Sequence, residues 1–162
     1  MKKILKVVSV LLGLSIIFYS TAVISATTTL TAEEIEDILH MREEEKLARD
    51  VYITLYNIYK VPVFNNISKS EQTHMNTVKT LIDRYQLEDP VTDDGIGKFS
   101  NPKFTELYNT LIEKGKKSVV DALTVGALIE DLDIKDLQEA LKRTDKSDIK
   151  LVYENLTKGS KN

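Results

Sequence analysis

The sequence predicts an all-α fold, and three observations carry that prediction. Gly and Pro number only 6 and 3 in 162 residues, too few turn formers for the many short strands of a β protein. Two capping-box pairs, Thr31 with Glu34 and Ser68 with Glu71, each open a long stretch free of Gly and Pro. Along those stretches apolar residues recur at steps of three and four, the period of a helix.

The first helix is predicted from Thr31 to Lys60. Val61 to Ile67, with Pro62, reads as a short connection, and Ser68 then caps a second helix ending near Leu87. Asp89-Pro90, Asp93-Asp94-Gly95 and Gly97 mark a loop, after which Asn101-Pro102 opens a shorter helix closed by Gly115. Ser118 caps a long apolar run to about Arg143. Thr144 to Ser147 is a polar break, and Ile149 restarts a helical pattern that reaches Asn162. Roughly three quarters of the chain after residue 26 is then helical, against the usual third. The connection from Leu87 to Lys117 is long enough to run the length of a bundle and bring the helices on either side of it parallel, a topology of ferritin-like folds.

The composition is that of one globular domain, with 42% hydrophobic residues and a net charge of -3. No basic excess is present to neutralise a phosphate backbone, so nucleic acid is not an expected partner. The absence of Cys removes disulfides, thiolate nucleophiles and Cys-type metal sites together. Lys2, Lys3 and Lys6 precede an uncharged stretch from Val7 to Ala26 that ends in Ile24-Ser25-Ala26. Residues 1–26 read as a signal peptide cut after Ala26, or as an uncleaved membrane anchor, and residues 27–162 as the helical domain. Cleavage leaves 19 basic against 25 acidic residues, a net charge of -6. The protein is expected to be exported, with a membrane contact only if the N-terminal segment is retained.

A stripe that should be apolar is interrupted by acids in three helices. Steps of three and four along the first helix give Ile38, Met41, Glu45, Ala48, Tyr52, Leu55 and Tyr59. In the second they give Ile67, Glu71, His74, Val78, Leu81 and Tyr85, placing a Glu-x-x-His pair on the core face. In the long helix after Ser118 they give Val119, Leu123, Gly126, Glu130, Asp133, Leu137 and Ala140. Glu43, Glu44 and His40 fall on other faces and are expected in solvent. Any single one of the striped acids is ordinary as an edge residue, a cap or half of an ion pair. Together, Glu45, Glu71, Glu130 and Asp133 have only His74 as a counter-charge. Each buried ionised carboxylate costs several kcal/mol, which approaches the whole net stability of a domain. A divalent cation removes that conflict, and helices roughly 8 to 10 Å apart bring facing carboxylates within reach of one ion. The expected metal ligands are therefore Glu45, Glu71, His74, Glu130 and Asp133.

These residues resemble the ferritin-like di-metal carboxylate proteins, whose four helices carry Glu, Glu-x-x-His, Glu or Glu-x-x-acid, and a second Glu-x-x-His. Glu45-Lys-Leu-Ala-Arg-Asp-Val-Tyr52 resembles the first ligand helix of rubrerythrins. More closely, Met41 to Tyr52, Ser70-Glu-Gln-Thr-His-Met75, Leu87-Glu-Asp-Pro90, Val125 to Ile134 and Val152-Tyr-Glu-Asn-Leu156 resemble an uncharacterised ferritin-like family known as domain of unknown function 2202, from about residue 31 onward. The resemblance implies a ferritin-like four-helix bundle whose long crossover contains a short extra helix. It also implies that the C-terminal helix is truncated, since the family continues past Gly159-Ser-Lys-Asn162 with a His. Ser160 stands where the second Glu-x-x-His would begin, so one tightly held ion on Glu45, Glu71 and His74 is expected, with Glu130 shared and Asp133 serving a weaker second ion.

Two functions follow as expectations. The first is an exported metal-binding protein in which iron is the expected ion and manganese or zinc the alternatives. Iron or manganese would allow reduction of dioxygen or peroxide, whereas zinc would not. Tyr52 stands on the core stripe as a hydrogen-bonding core tyrosine or a group serving that chemistry. The partners are then metal ions and a small oxidant, with self-association left open. The alternative is a cell-envelope helical interaction protein whose acids serve only the fold.

Overall fold

The computed structural model describes residues 29–161. The proposed signal or anchor segment, residues 1–26, lies outside them. Five α-helices and no strand are present among the described residues: α1 (Ala32–Tyr59), α2 (Pro62–Tyr85), α3 (Pro102–Gly115), α4 (Val119–Lys142) and α5 (Ser147–Ser160). The class is all-α, with the helices packed as a bundle. No helix among the described residues is long and apolar enough to cross a membrane.

The helix ends follow the local chemistry. Thr31 caps α1 through a reciprocal box, Glu34 N donating to Thr31 Oγ1 at 3.1 Å and Thr31 N to Glu34 Oε2 at 2.9 Å. Asn101 and Ser118 cap α3 and α4 by accepting from the Lys103 and Asp121 amides. α2 departs from expectation. It starts at Pro62, six residues before Ser68, because proline at the first helical position needs no amide partner and already holds a helical φ. Ser68 and Glu71 are therefore interior residues, not a cap, and Ser68 Oγ donates to the Asn65 carbonyl at 3.0 Å. The α1–α2 connection shrinks to Lys60 and Val61, which makes a tight antiparallel hairpin. α5 likewise begins at Ser147, two residues ahead of Ile149.

Side-chain pairings give the helix directions. Along α1 and α2, Arg42 meets the Met75 carbonyl, Glu45 meets His74 and Arg49 meets Gln72, so the two run antiparallel. α1 and α4 are antiparallel too, with Asp37 against Arg143 and Tyr52 against Glu130. α2 pairs with α5 in the same sense, through Tyr85 with Asp148 and His74 with Gly159. α2 and α4, both opposed to α1, thus run in one direction, and residues 86–101 with α3 carry the chain back between them. α3 packs on α1 and α4.

The apolar interior is split in two. One cluster holds Leu47, Val51, Leu55, Phe64, Phe104 and Val125, and the other Ile38, Met41, Val78, Leu81, Leu137 and Tyr153. Between them α1 is buried on every side from Met41 to Tyr52. Glu43 and Glu44, expected in solvent, are consequently buried. The periodicity of α1 could not reveal this, because α2, α3, α4 and the loop enclose it from several directions at once. Glu43 accepts a 3.0 Å bond from the Asn101 amide, tying α1 to the start of α3. On α4 the expected stripe is right only in its second half. Val119 and Leu123 are exposed while Ala122, Val125 and Ile129 are buried, since the run is apolar on nearly all sides and its period does not select a face.

Candidate metal centre

Glu45, at the middle of α1, and Glu71 and His74, one turn apart on α2, meet in the layer between the two apolar clusters. One ligand atom from each lies within 4.8 Å of the other two. His74 Nδ1 is 3.2 Å from Glu45 Oε2 and 3.0 Å from Glu71 Oε2. The α1–α2 hairpin places these groups: a two-residue connection fixes the register, and core neighbours Met41, Ala48 and Met75 hold the stripe inward. α5 closes the far side of the imidazole. Gly159 lies against the ring so closely that a Cβ there would collide with His74 Nε2, so the helix approaches only because this residue has no side chain.

α4 brings Glu130 and Asp133 to the same layer. Tyr52 donates to Glu130 Oε1 at 2.6 Å, and it reaches past Gly126, where a Cβ would stand 3.0 Å from the phenolic oxygen. Ser160 donates to Asp133 Oδ2 at 2.6 Å. The second oxygen of Asp133 and the second oxygen of Glu45 are buried with no hydrogen-bond partner. Such orphaned acceptors carry a desolvation cost of about 1–3 kcal/mol each.

The electrostatics follow from this crowding. Burial pushes the Glu45 carboxyl well above the usual carboxylate range despite the His74 hydrogen bond, and the charges of Asp133 and Glu71 push the same way. Burial, with the charges of Glu71 and Asp133, raises Glu130 to about 7 against the opposing Tyr52 bond. Asp133 rises to about 6 from burial and the Glu71 charge, although the Ser160 bond opposes. For His74 burial works to lower the pKa, but the hydrogen bonds to Glu45 and Glu71 and their charges win and hold it at about 10. Tyr52 is driven well above the usual phenol range by burial and the Glu130 carboxylate, so its proton stays on the oxygen. The layer is a nest of carboxylates gathered around the one imidazole of His74.

The sequence reading named Glu45, Glu71, His74, Glu130 and Asp133, and the structure turns all five toward this layer, with Glu45, Glu71 and His74 in mutual contact. It missed Glu44. That carboxylate is buried, its Oε2 has no hydrogen bond, and it stands near Asp133 and Asp136, whose charges add to burial in raising its pKa. His40 is 42% exposed but not simply solvated: its Nε2 is 3.5 Å from Glu44 Oε2 and 3.7 Å from Asp136 Oδ2. A one-face seam walk does not find these residues, because Glu44 sits next to Glu45 in sequence on an adjoining face.

Fold and site define an all-α bundle protein with a buried carboxylate–imidazole cluster at the join of three helices. The chain belongs to the family described as an uncharacterized protein domain, DUF2202, whose model matches residues 34–162. It is 62% identical over 133 residues to the uncharacterized protein MJ0754 of Methanocaldococcus jannaschii, covering 82% of this chain and 72% of that protein. It is similar in structure to the crystal structure of the hypothetical protein MJ0754 from Methanococcus jannaschii, with a TM-score of 0.82 over 83% of this chain and 77% of that one.

Proposed function

We propose that this is an exported ferritin-like protein that binds a divalent transition metal in the bundle and uses it to reduce dioxygen or peroxide. The observation that carries this reading is the uncompensated charge of the layer. The three basic residues of α1 all serve other acids: Arg42 pairs with Asp89, Lys46 with Asp50, and Arg49 with Asp50 and Asp94. Glu45, Glu71, Glu130 and Asp133 face the His74 imidazole instead, and two of their oxygens lack a partner. A cation fits that deficit, and a donor set of several carboxylate oxygens and one imidazole nitrogen suits iron, manganese or zinc.

Glu45, Glu71 and His74, through Nδ1, would hold the ion, with Glu130 shared and Asp133 able to serve a second one. Bound iron or manganese would supply electrons to a small oxidant by passing from the divalent to the trivalent state, an external electron donor being needed to restore it, and zinc would supply Lewis acidity only. The chain's own residues do the rest. Gly159 lets α5 shield His74, Tyr52 holds a proton at the Glu130 oxygen, and the apolar clusters on both sides keep water from the layer. His74 would give up its Nδ1 proton on taking a cation, so binding would be coupled to proton release. The antiparallel pairs and long return between α2 and α4 support the ferritin-like topology.

Metal analysis of the full chain, beside Glu71→Ala, tests binding, and turnover with peroxide tests activity. The reading expects a stoichiometric transition metal that Glu71→Ala loses. Metal-free protein that takes up no iron, manganese or zinc rejects it. Bound metal without peroxide or dioxygen turnover rejects only the redox part. A second reading, a cell-envelope interaction protein, is favoured by a separate observation: α4 leaves Val119, Val120, Leu123 and Leu128 exposed on its outer side, an apolar surface of the kind that marks partner contacts.

A further inference from the structure

We infer that His40, Glu44 and Asp136 form a second, solvent-facing site for a divalent transition-metal ion, adjoining the buried layer where α1 packs on α4. One ligand atom from each of the three lies within 4.8 Å of the others. His40 and Glu44 are one turn apart on α1, and Asp136 is one turn beyond Asp133 on α4. His40 Nε2 stands 3.5 Å from Glu44 Oε2 and 3.7 Å from Asp136 Oδ2. Metal–ligand bonds of about 2.1 Å at tetrahedral angles place ligand atoms roughly 3.4 Å apart. The three groups thus need to move only by tenths of an ångström along those two edges to share an ion.

A second observation points independently to a ligand. Glu44 is 2% exposed and its Oε2, which faces His40, has no hydrogen bond. A surface acid can leave an oxygen to water, but a buried one leaves it at a cost. The Phe104 ring, its centroid 5.1 Å from that of His40, backs the imidazole and leaves Nε2 turned toward the acids. The place is open, forming part of a cleft of about 430 Å³ between α1, α3 and α4, so an ion reaches it without unfolding of the bundle. Two lysines stand at the rim. Lys103 lines the cleft, and Lys135 Nζ is 3.5 Å from Asp136 Oδ1 with its own side chain 72% exposed. Such solvated heads oppose a cation weakly, and the second Asp136 oxygen remains toward His40. An imidazole among the donors selects first-row transition ions of the zinc, copper or nickel type over calcium and magnesium.

The chain's two histidines are His40 and His74, so one spectrum reads both sites separately. The experiment is a zinc titration of the full chain with 15N-labelled histidine, in wild type, Asp136→Asn and Glu44→Gln, with His40→Asn used for assignment. Zinc is expected to shift the His40 ring nitrogens, and each of the first two variants is expected to raise the zinc concentration needed at His40 by at least about tenfold. Their His74 response should persist. Glu44→Gln keeps the buried shape, and Asp136→Asn alters a half-buried residue, so two variants report if one fails to fold. His40 nitrogens unmoved by millimolar zinc, or moved equally in wild type and both variants, overturn the inference. A response at His40 with none at His74 sustains it and removes the buried metal site instead.

Discussion

The two sides of α1 both bury charge, and they handle it in opposite ways. Toward the loop after α2 every charge is answered. Asp50, fully buried, accepts from Lys46 Nζ at 2.6 Å, from Arg49 Nη2 at 2.8 Å and from the Gly97 amide at 3.0 Å. Lys46 also donates to the Gly95 carbonyl and lies over the Phe99 ring, while Arg42 clamps Asp89. Gly97 has φ +72°, a left-handed value that favours glycine, and its amide is thereby presented to Asp50. Toward α2, α4 and α5, by contrast, Glu45, Glu71, Glu130 and Asp133 crowd the one imidazole of His74, with orphan oxygens on Glu45 and Asp133 and another on Glu44 beside His40. The first network is complete as protein and fastens the return loop. The second is complete only with protons or a cation, and that difference separates a structural ion-pair network from a candidate site.

The sharpest break of the comparison is Asp50→Ala. It leaves Lys46 and Arg49 buried without their acid, so destabilisation of about 3–5 kcal/mol is expected, measured by urea unfolding. A loss below about 1 kcal/mol would show that the loop side is not held by that network. Next is metal linkage on the other side. An ion that binds only the folded chain, at about 100 times its dissociation constant, adds roughly 2.7 kcal/mol. Chelation should lower the thermal midpoint of metal-loaded wild type and leave Glu71→Ala unmoved.

The two sides should also respond to pH with opposite sign. Glu130 is raised from 4.5 to about 7 and Asp133 from 3.8 to about 6, so the metal-free fold binds extra protons there. That contribution is fully present below about pH 4 and is lost as pH rises through 6 to 7. Asp89 is held below its ordinary 3.8, burial being outweighed by the hydrogen bonds from Arg42 and the Val91 amide. Its contribution is present above that value and is lost as pH falls below it. Thermal midpoints of metal-free protein from pH 4 to 8, with and without Asp133→Asn, check the first; the variant should flatten the decline. A midpoint that climbs from pH 5 to 7 in both would sink the idea.

Smaller effects sharpen the picture. Glu45→Gln removes one excess charge without changing shape, so metal-free protein should be unchanged or more stable by about 1 kcal/mol, while metal binding falls. The opposite signs of Asp50→Ala and Glu45→Gln in one denaturation assay would be the cleanest expression of the contrast. Tyr52→Phe should cost about 0.5–1.5 kcal/mol for one lost hydrogen bond and should raise the Glu130 pKa, because the phenol stabilises the carboxylate. Titration of Glu130 by NMR reads that shift.

The helices, their Thr31, Asn101 and Ser118 caps and the inward acids were legible in sequence because they depend on local period and on residues three or four apart. Ser160 was also placed correctly on the α5 stripe, and it meets Asp133 there. Pro62 shows the limit of cap reading: in sequence it belongs to a connection ahead of the Ser68 capping pair, and in the fold it opens α2. The sequence by itself determined an all-α chain whose core stripe carries Glu45, Glu71, His74, Glu130 and Asp133. Only the tertiary structure decided that α1 is enclosed on all sides, which buries Glu43 and Glu44, answers Lys46 and Arg49 with Asp50 and the loop, and leaves Glu44 beside His40 and Asp136. Periodicity describes one face of one helix, whereas burial and charge balance depend on every element packed around it.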